Sequence, residues 1–191
     1  MDQLLSERET RIVATVMALA EEGGFEAVRL RDVAARSGVA LGTLYRHFRG
    51  KDDLLVAALA LEAESLALRM RENPPAGATA LERAVAFFEA ATQALCHRPK
   101  LTRAILRAAC SDDPELAAKI RAFHGFASDL LISAICANPS ATLANATPRE
   151  ARISNMLQAV WFAAMLGWMS AQYKQEEVVE QVRNAAELVL G

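Results

Sequence analysis

The chain has 191 residues, 53% of them hydrophobic, with nine Gly, six Pro and a formal net charge of -2. That length sustains a core without metals or disulfides, and the Gly- and Pro-poor composition favours packed helices over sheet or disorder. A near-neutral balance excludes a protein that coats nucleic acid indiscriminately, since such binding needs a large excess of Lys and Arg, so any DNA contact has to be local.

The stretch Met1–Glu9 is polar and partly acidic, without the basic and then apolar regions of a signal peptide, and a cytoplasmic location is expected. The longest apolar stretch, residues 159–169, is about half of the roughly 20 residues that a membrane span requires. Cys96, Cys110 and Cys136 are odd in number and widely spaced, as reduced thiols are. Cys96, His97, Cys110 and His124 lack ligand spacing, so no metal is expected.

From Arg8 to Glu22 the apolar residues Ile12, Val13, Val16, Leu19 and Ala20 recur at helical spacing, and Gly23-Gly24 is expected to stop that first helix. Short helices follow over Leu30–Arg36 and Leu41–His47, separated by Ser37-Gly38. Lys51-Asp52-Asp53 opens a longer one to about Glu72, its carboxylates placed where the helix dipole favours them. Beyond the breaker Asn73–Gly77 the pattern predicts helices over Thr79–His97, Pro99–Cys110 and Pro114–Ala137. A polar loop over Asn138–Thr147 precedes a long helix from Pro148 to about Tyr173 and a last one to Leu190. The fold expected is all-α, about nine helices, with a helix-turn-helix head at 1–50 and a ligand-binding and dimerisation body at 51–191.

The chemistry concentrates in residues 30–48. Two short helical patterns flank Gly38, which permits a left-handed turn; Ala34 is small where the helices cross, and Val33, Val39 and Leu44 face inward. The second helix then presents Leu41, Gly42, Thr43, Tyr45, Arg46 and His47 outward, an inventory suited to phosphates and base edges in a major groove. Residues 29–51 hold Arg29, Arg31, Arg36, Arg46, Arg49 and Lys51 against Asp32 alone. An acidic chain that gathers positive charge on one helix pair is arranged to steer that face toward DNA.

These residues, together with Gly23–Val28, Gly42–Phe48 and Lys51–Leu55, resemble the TetR family of bacterial regulators over residues 8–55. The resemblance implies that Tyr45, His47 and Lys51 touch the phosphate backbone, Thr43 phosphate or base, and Leu41 and Gly42 base edges or thymine methyls. Where the second helix usually opens with Thr or Ser, this chain has Val28-Arg29, and the phosphate contact passes to Arg29. Residues 98–104, Arg107-Ala108, Trp161 and residues 166–168 are similar to the actinobacterial repressors of sterol catabolism within that family. This narrower likeness implies a small-molecule inducer, a sterol-derived or fatty acyl coenzyme A thioester.

In the body, Phe87, Phe88, Ile105, Leu106, Phe123, Phe126, Trp161 and Met165 come from four helices and line either a ligand cavity or an ordinary core. The cations Arg98, Lys100, Arg103 and Arg107 are read as solvated surface rather than a phosphate site. Trp168 and Met169 on one helix, with Val178, Val179 and Val182 on the next, are expected to pair with a second copy, giving a homodimer on a palindromic double-stranded DNA operator. No catalytic residue stands out: Ser128 near His124 and Asp129 lacks a glycine-rich elbow. The alternative is a helical dimer that binds a ligand or partner without regulating DNA.

Overall fold

The structure is a computed structural model that describes residues 6–191. Of the polar stretch Met1–Glu9, the first five residues therefore lie outside the described residues. Among the described residues there are nine helices and no strand: α1 (Glu7–Ala27), α2 (Leu30–Ser37), α3 (Leu41–His47), α4 (Lys51–Glu72), α5 (Ala80–Cys96), α6 (Pro99–Ala109), α7 (Pro114–Cys136), α8 (Pro148–Met169) and α9 (Gln175–Leu190).

Local chemistry explains four of the starts. Reciprocal capping boxes, Ser6 with Glu9, Thr79 with Glu82 and Thr147 with Glu150, satisfy the free N–H groups that open α1, α5 and α8. Pro99 and Pro148 stand in the first turns of α6 and α8, where no N–H is needed. Two ends differ from expectation. The backbone leaves helical geometry at Gly23 and Gly24 (φ 67° at the latter) but turns once more to Ala27, which sets Phe25 and Glu26 beyond a kink. A glycine break interrupts the ladder without forbidding the next turn. Similarly, α8 stops at Met169 rather than near Tyr173, closed by Ala171 at φ 60° and by the Gln172 amide donating to Gly167 O at 2.8 Å.

The chain divides into two compact units. The first runs to Glu62 and takes in Arg98–Ala122, so α6 belongs with α1, α2 and α3. α6 packs along α1. Its stripe Leu101, Ala104, Ile105 and Ala108 is buried, as are Ile12, Val13, Val16 and Ala20 of α1. Along that seam Arg98 donates to Glu21, Lys100 to Glu22 O (2.9 Å) and Arg107 to Glu26 (2.9 Å), and Arg98 also reaches Glu62 of α4 (2.6 Å). The basic run on α6 is thus largely engaged by the acidic end of α1, as a structural face would be.

The second unit comprises Ala63–His97 and Phe123–Gly191. Here α9 packs on α5 and α8. Phe87, Phe88, Leu131, Leu157, Val182 and Ala186 form its core, each large side chain contributing about 1.5–3 kcal/mol by burial. Among the described residues no helix is long and apolar enough to cross a membrane.

Candidate nucleic-acid interface

The helix-turn-helix is built as its residues require. α2 ends on Gly38 in the left-handed region (φ 69°, ψ 30°). The Gly38 amide bonds Ala35 O at 3.4 Å and the Val39 amide bonds Ala34 O at 3.0 Å, a pairing that satisfies the last α2 carbonyls and turns the chain. Val33, Ala34 and Leu44 are buried, and Phe48 plugs the end of α3. Burying one side of so short a helix leaves the other in solvent: Gly42, Tyr45, Arg46 and His47 are exposed, and Leu41 and Thr43 are half-buried. Tyr45 is 55% exposed, a large aromatic with no packing reason to be outside.

The cations divide into two groups. Arg36 pairs with Glu22 at 2.9 Å, and Arg49 with Glu115 and Asp113. Lys51 lies 3.8 Å over the Phe25 ring and 3.6 Å from Glu26, so this expected phosphate ligand has an intramolecular carboxylate beside it. Arg29, Arg31 and Arg46 are exposed with no carboxylate partner among the described residues; Arg46 donates to the Thr43 hydroxyl at 3.2 Å. Among the described residues, the uncompensated charge therefore lies at the start of α2 and on α3. Arg31 was not among the residues singled out for contact, although its place two residues from Arg29 in a basic run was a visible signal. His47 is met by a residue that the sequence did not link to it: Nδ1 lies 3.1 Å from Glu9 of α1.

In the second unit, the expected pocket residues are only partly brought together. The Phe88 ring sits 5.1 Å from Phe87 and 5.8 Å from Trp161, whose indole N–H donates to Thr92 at 2.8 Å. Phe123 and Phe126 are half-buried on α7, with Phe123 beside His124, which faces Phe162; Met165 is fully buried. Ile105 and Leu106 lie in the first unit, where they are buried on α6. A buried polar group crosses the apolar surroundings: Gln158 donates to Ser128 (2.8 Å) and Ser154 (3.1 Å), with His124 Nδ1 3.4 Å from its carbonyl. Asp129 accepts the Leu143 amide instead, so His124, Ser128 and Asp129 are not arranged as base, nucleophile and orienter.

The dimer residues need one correction. Val178 and Val182 are fully buried within the chain, because the apolar stripe of α9 faces α5 and α8. They are core and leave no surface for a second copy. Val179, Trp168 and Met169 are half-buried, while Met156 of α8 (41%) and Leu188 of α9 (87%) are exposed.

Residues 12–58 match the model of bacterial regulatory proteins of the tetR family, and residues 77–189 that of a tetracyclin repressor-like C-terminal domain. The chain is 35% identical to the HTH-type transcriptional repressor KstR of Rhodococcus jostii, covering 97% of this chain and 84% of that protein. It is 32% identical to KstR of Mycobacterium tuberculosis, covering 97% and 81%. Among solved structures, a TetR transcriptional regulator from Rhodococcus sp. RHA1 superimposes with a TM-score of 0.85 at 21% identity, covering 96% of this chain and 95% of that one. FadR of Bacillus subtilis, solved in complex with stearoyl-CoA, gives 0.65 at 18% identity, covering 95% and 97%.

Proposed function

This chain belongs to the tetR family of bacterial regulatory proteins, and we propose that it is a ligand-responsive repressor that binds a palindromic DNA operator as a homodimer in the cytoplasm. The observation that carries this reading is the face of α3. Leu44 and Phe48 anchor it, Tyr45 and Arg46 stand in solvent beside His47, and Arg29 and Arg31 add charge that no carboxylate among the described residues cancels. Phosphate contacts from Arg29, Tyr45, His47 and Lys51 position the head of residues 1–50 and its flank, while Leu41, Gly42, Thr43 and Arg46 meet base edges.

The body, residues 51–191, binds the inducer and dimerises. The exposed Met156 and Leu188 favour pairing through the outer faces of α8 and α9, with two α3 helices about 34 Å apart, one turn of DNA. The inducer is a sterol-derived or fatty acyl coenzyme A thioester, and the controlled genes are those of sterol or lipid breakdown. Support comes from the likeness of the body to sterol-catabolism repressors and from the stearoyl-CoA held by FadR, a protein of the same fold. The half-buried Phe123, Phe126 and Trp161 supply apolar contact, and Gln158 with its serines supplies polar anchors. Ligand acts by binding more tightly to a dimer whose heads are spaced wrongly for successive grooves.

Fluorescence anisotropy of the protein on its own upstream region, with and without sterol-derived and fatty acyl coenzyme A thioesters, tests this. Salt-dependent binding released by one thioester class is expected. Tight binding that both classes leave untouched overturns the inducer, and absence of duplex binding overturns the regulator in favour of ligand sequestration.

A further inference from the structure

The capping box of α1 extends beyond its own helix. Glu9 Oε2 accepts from the Ser6 amide at 2.9 Å and the Ser6 hydroxyl at 2.7 Å, while Oε1 lies 3.1 Å from Nδ1 of His47, the last residue of α3. The two paired side chains are only 30% and 26% exposed, so the contact is sheltered compared with most surface pairs. Among the described residues, Glu9 is the charged group that faces the imidazole from α1. On its own helix Arg46 turns to Thr43, and the Phe48 ring stands 6.5 Å away.

A carboxylate only accepts, so Nδ1 carries the proton in this contact. In the neutral ring Nε2 is then a bare acceptor, and it repels a phosphate oxygen rather than donating to it. Only the imidazolium has an N–H at both nitrogens.

We propose that Glu9 is a positioning residue for His47 and that operator binding takes up a proton on the His47 ring, because Glu9 at Nδ1 and a DNA phosphate at Nε2 are both acceptors. The inference rests on the reading that α3 lies on the operator with His47 at the backbone. The proton comes from solvent, and operator affinity falls as pH rises, by at most about tenfold per pH unit for one linked proton. Removing Glu9 lets the neutral ring carry its single proton on Nε2 and donate to phosphate without uptake.

Titration calorimetry of the full chain with a duplex of its own upstream region, at pH 8 in buffers of different ionisation enthalpy, counts the protons taken up. Wild type is expected to show an uptake that His47→Gln loses. Glu9→Ala is expected to bind the duplex with that uptake reduced, whereas Ser6→Ala, which breaks the cap and spares the carboxylate, keeps it. Equal counts for wild type and His47→Gln overturn the proposal, as does full uptake in Glu9→Ala. A wild-type chain that binds no duplex at all overturns it together with the operator reading, and the heat of mixing separates that result from binding without uptake.

Discussion

Arg83 on α5 holds the end of α7 through its backbone: Nε donates to Ala134 O at 2.8 Å and Nη2 to Ile135 O at 2.7 Å. The last carbonyls of a helix lack the amide of a following turn, and here the guanidinium donates to Ile135 O and adds to the Ala137 amide at Ala134 O (3.1 Å). Arg83→Met keeps much of the apolar stem and removes the donors. It is expected to destabilise the fold by about 1.5–3 kcal/mol in urea melts, the range for hydrogen bonds to charged groups. A change below about 0.5 kcal/mol shows that water replaces the guanidinium.

Gly38 occupies the left-handed region at φ 69°, with open space where a Cβ would stand, so strain is the only obstacle to a side chain. Gly38→Ala is expected to cost about 1–2 kcal/mol, and Gly38→Asn less, because Asn tolerates this backbone. Thermal melts of the two variants decide it; equal losses point to a steric cause.

Arg29 and Arg31 carry charge that no carboxylate in the described chain neutralises. Each Gln substitution is expected to reduce the slope of log Kd against log salt by about one and to weaken binding evenly across operator sequences. Tyr45→Phe is expected to cost about 0.5–1.5 kcal/mol if the hydroxyl donates to phosphate. Anisotropy titrations at several salt concentrations read all three, and an unchanged slope removes the Arg concerned from the interface.

Glu9 is held below its ordinary carboxyl value, chiefly by the Ser6 hydroxyl and amide that donate to it, with His47 adding to the shift against the opposing effect of burial. A carboxylate depressed in the folded state stabilises fully above its unfolded pKa, about 4.3, and that contribution is lost as pH falls through the folded value. Ser6→Ala is therefore expected to lower the melting temperature more at pH 7 than at pH 3. A gap that stays constant with pH assigns the whole effect to the lost helix cap.

The Cys136 thiol is pushed up first by burial and then by its contact with Glu150, which keeps it protonated, whereas Cys110 is exposed. Alkylation at pH 8 is expected to label Cys110 well before Cys136. Equal rates indicate that the α7 end opens faster than the reagent reacts.

Much of this molecule is written locally. The spacing of Ile12, Val13, Val16 and Ala20, the Gly38 turn and the capping pairs Thr79/Glu82 and Thr147/Glu150 depend on residues within a few positions of each other, which is why the helices and the outward face of α3 are legible in the chain's order of residues. Relations between distant residues came from the packing alone. Val178 and Val182 look the same in sequence whether a helix of their own chain or a second copy covers them, and only the packing of α9 on α5 and α8 made them core. Likewise Ile105 and Leu106 went to the unit of α1, and His47 met Glu9 across 38 residues of chain. Periodicity states which side of a helix is buried; what buries it depends on where the rest of the chain folds back.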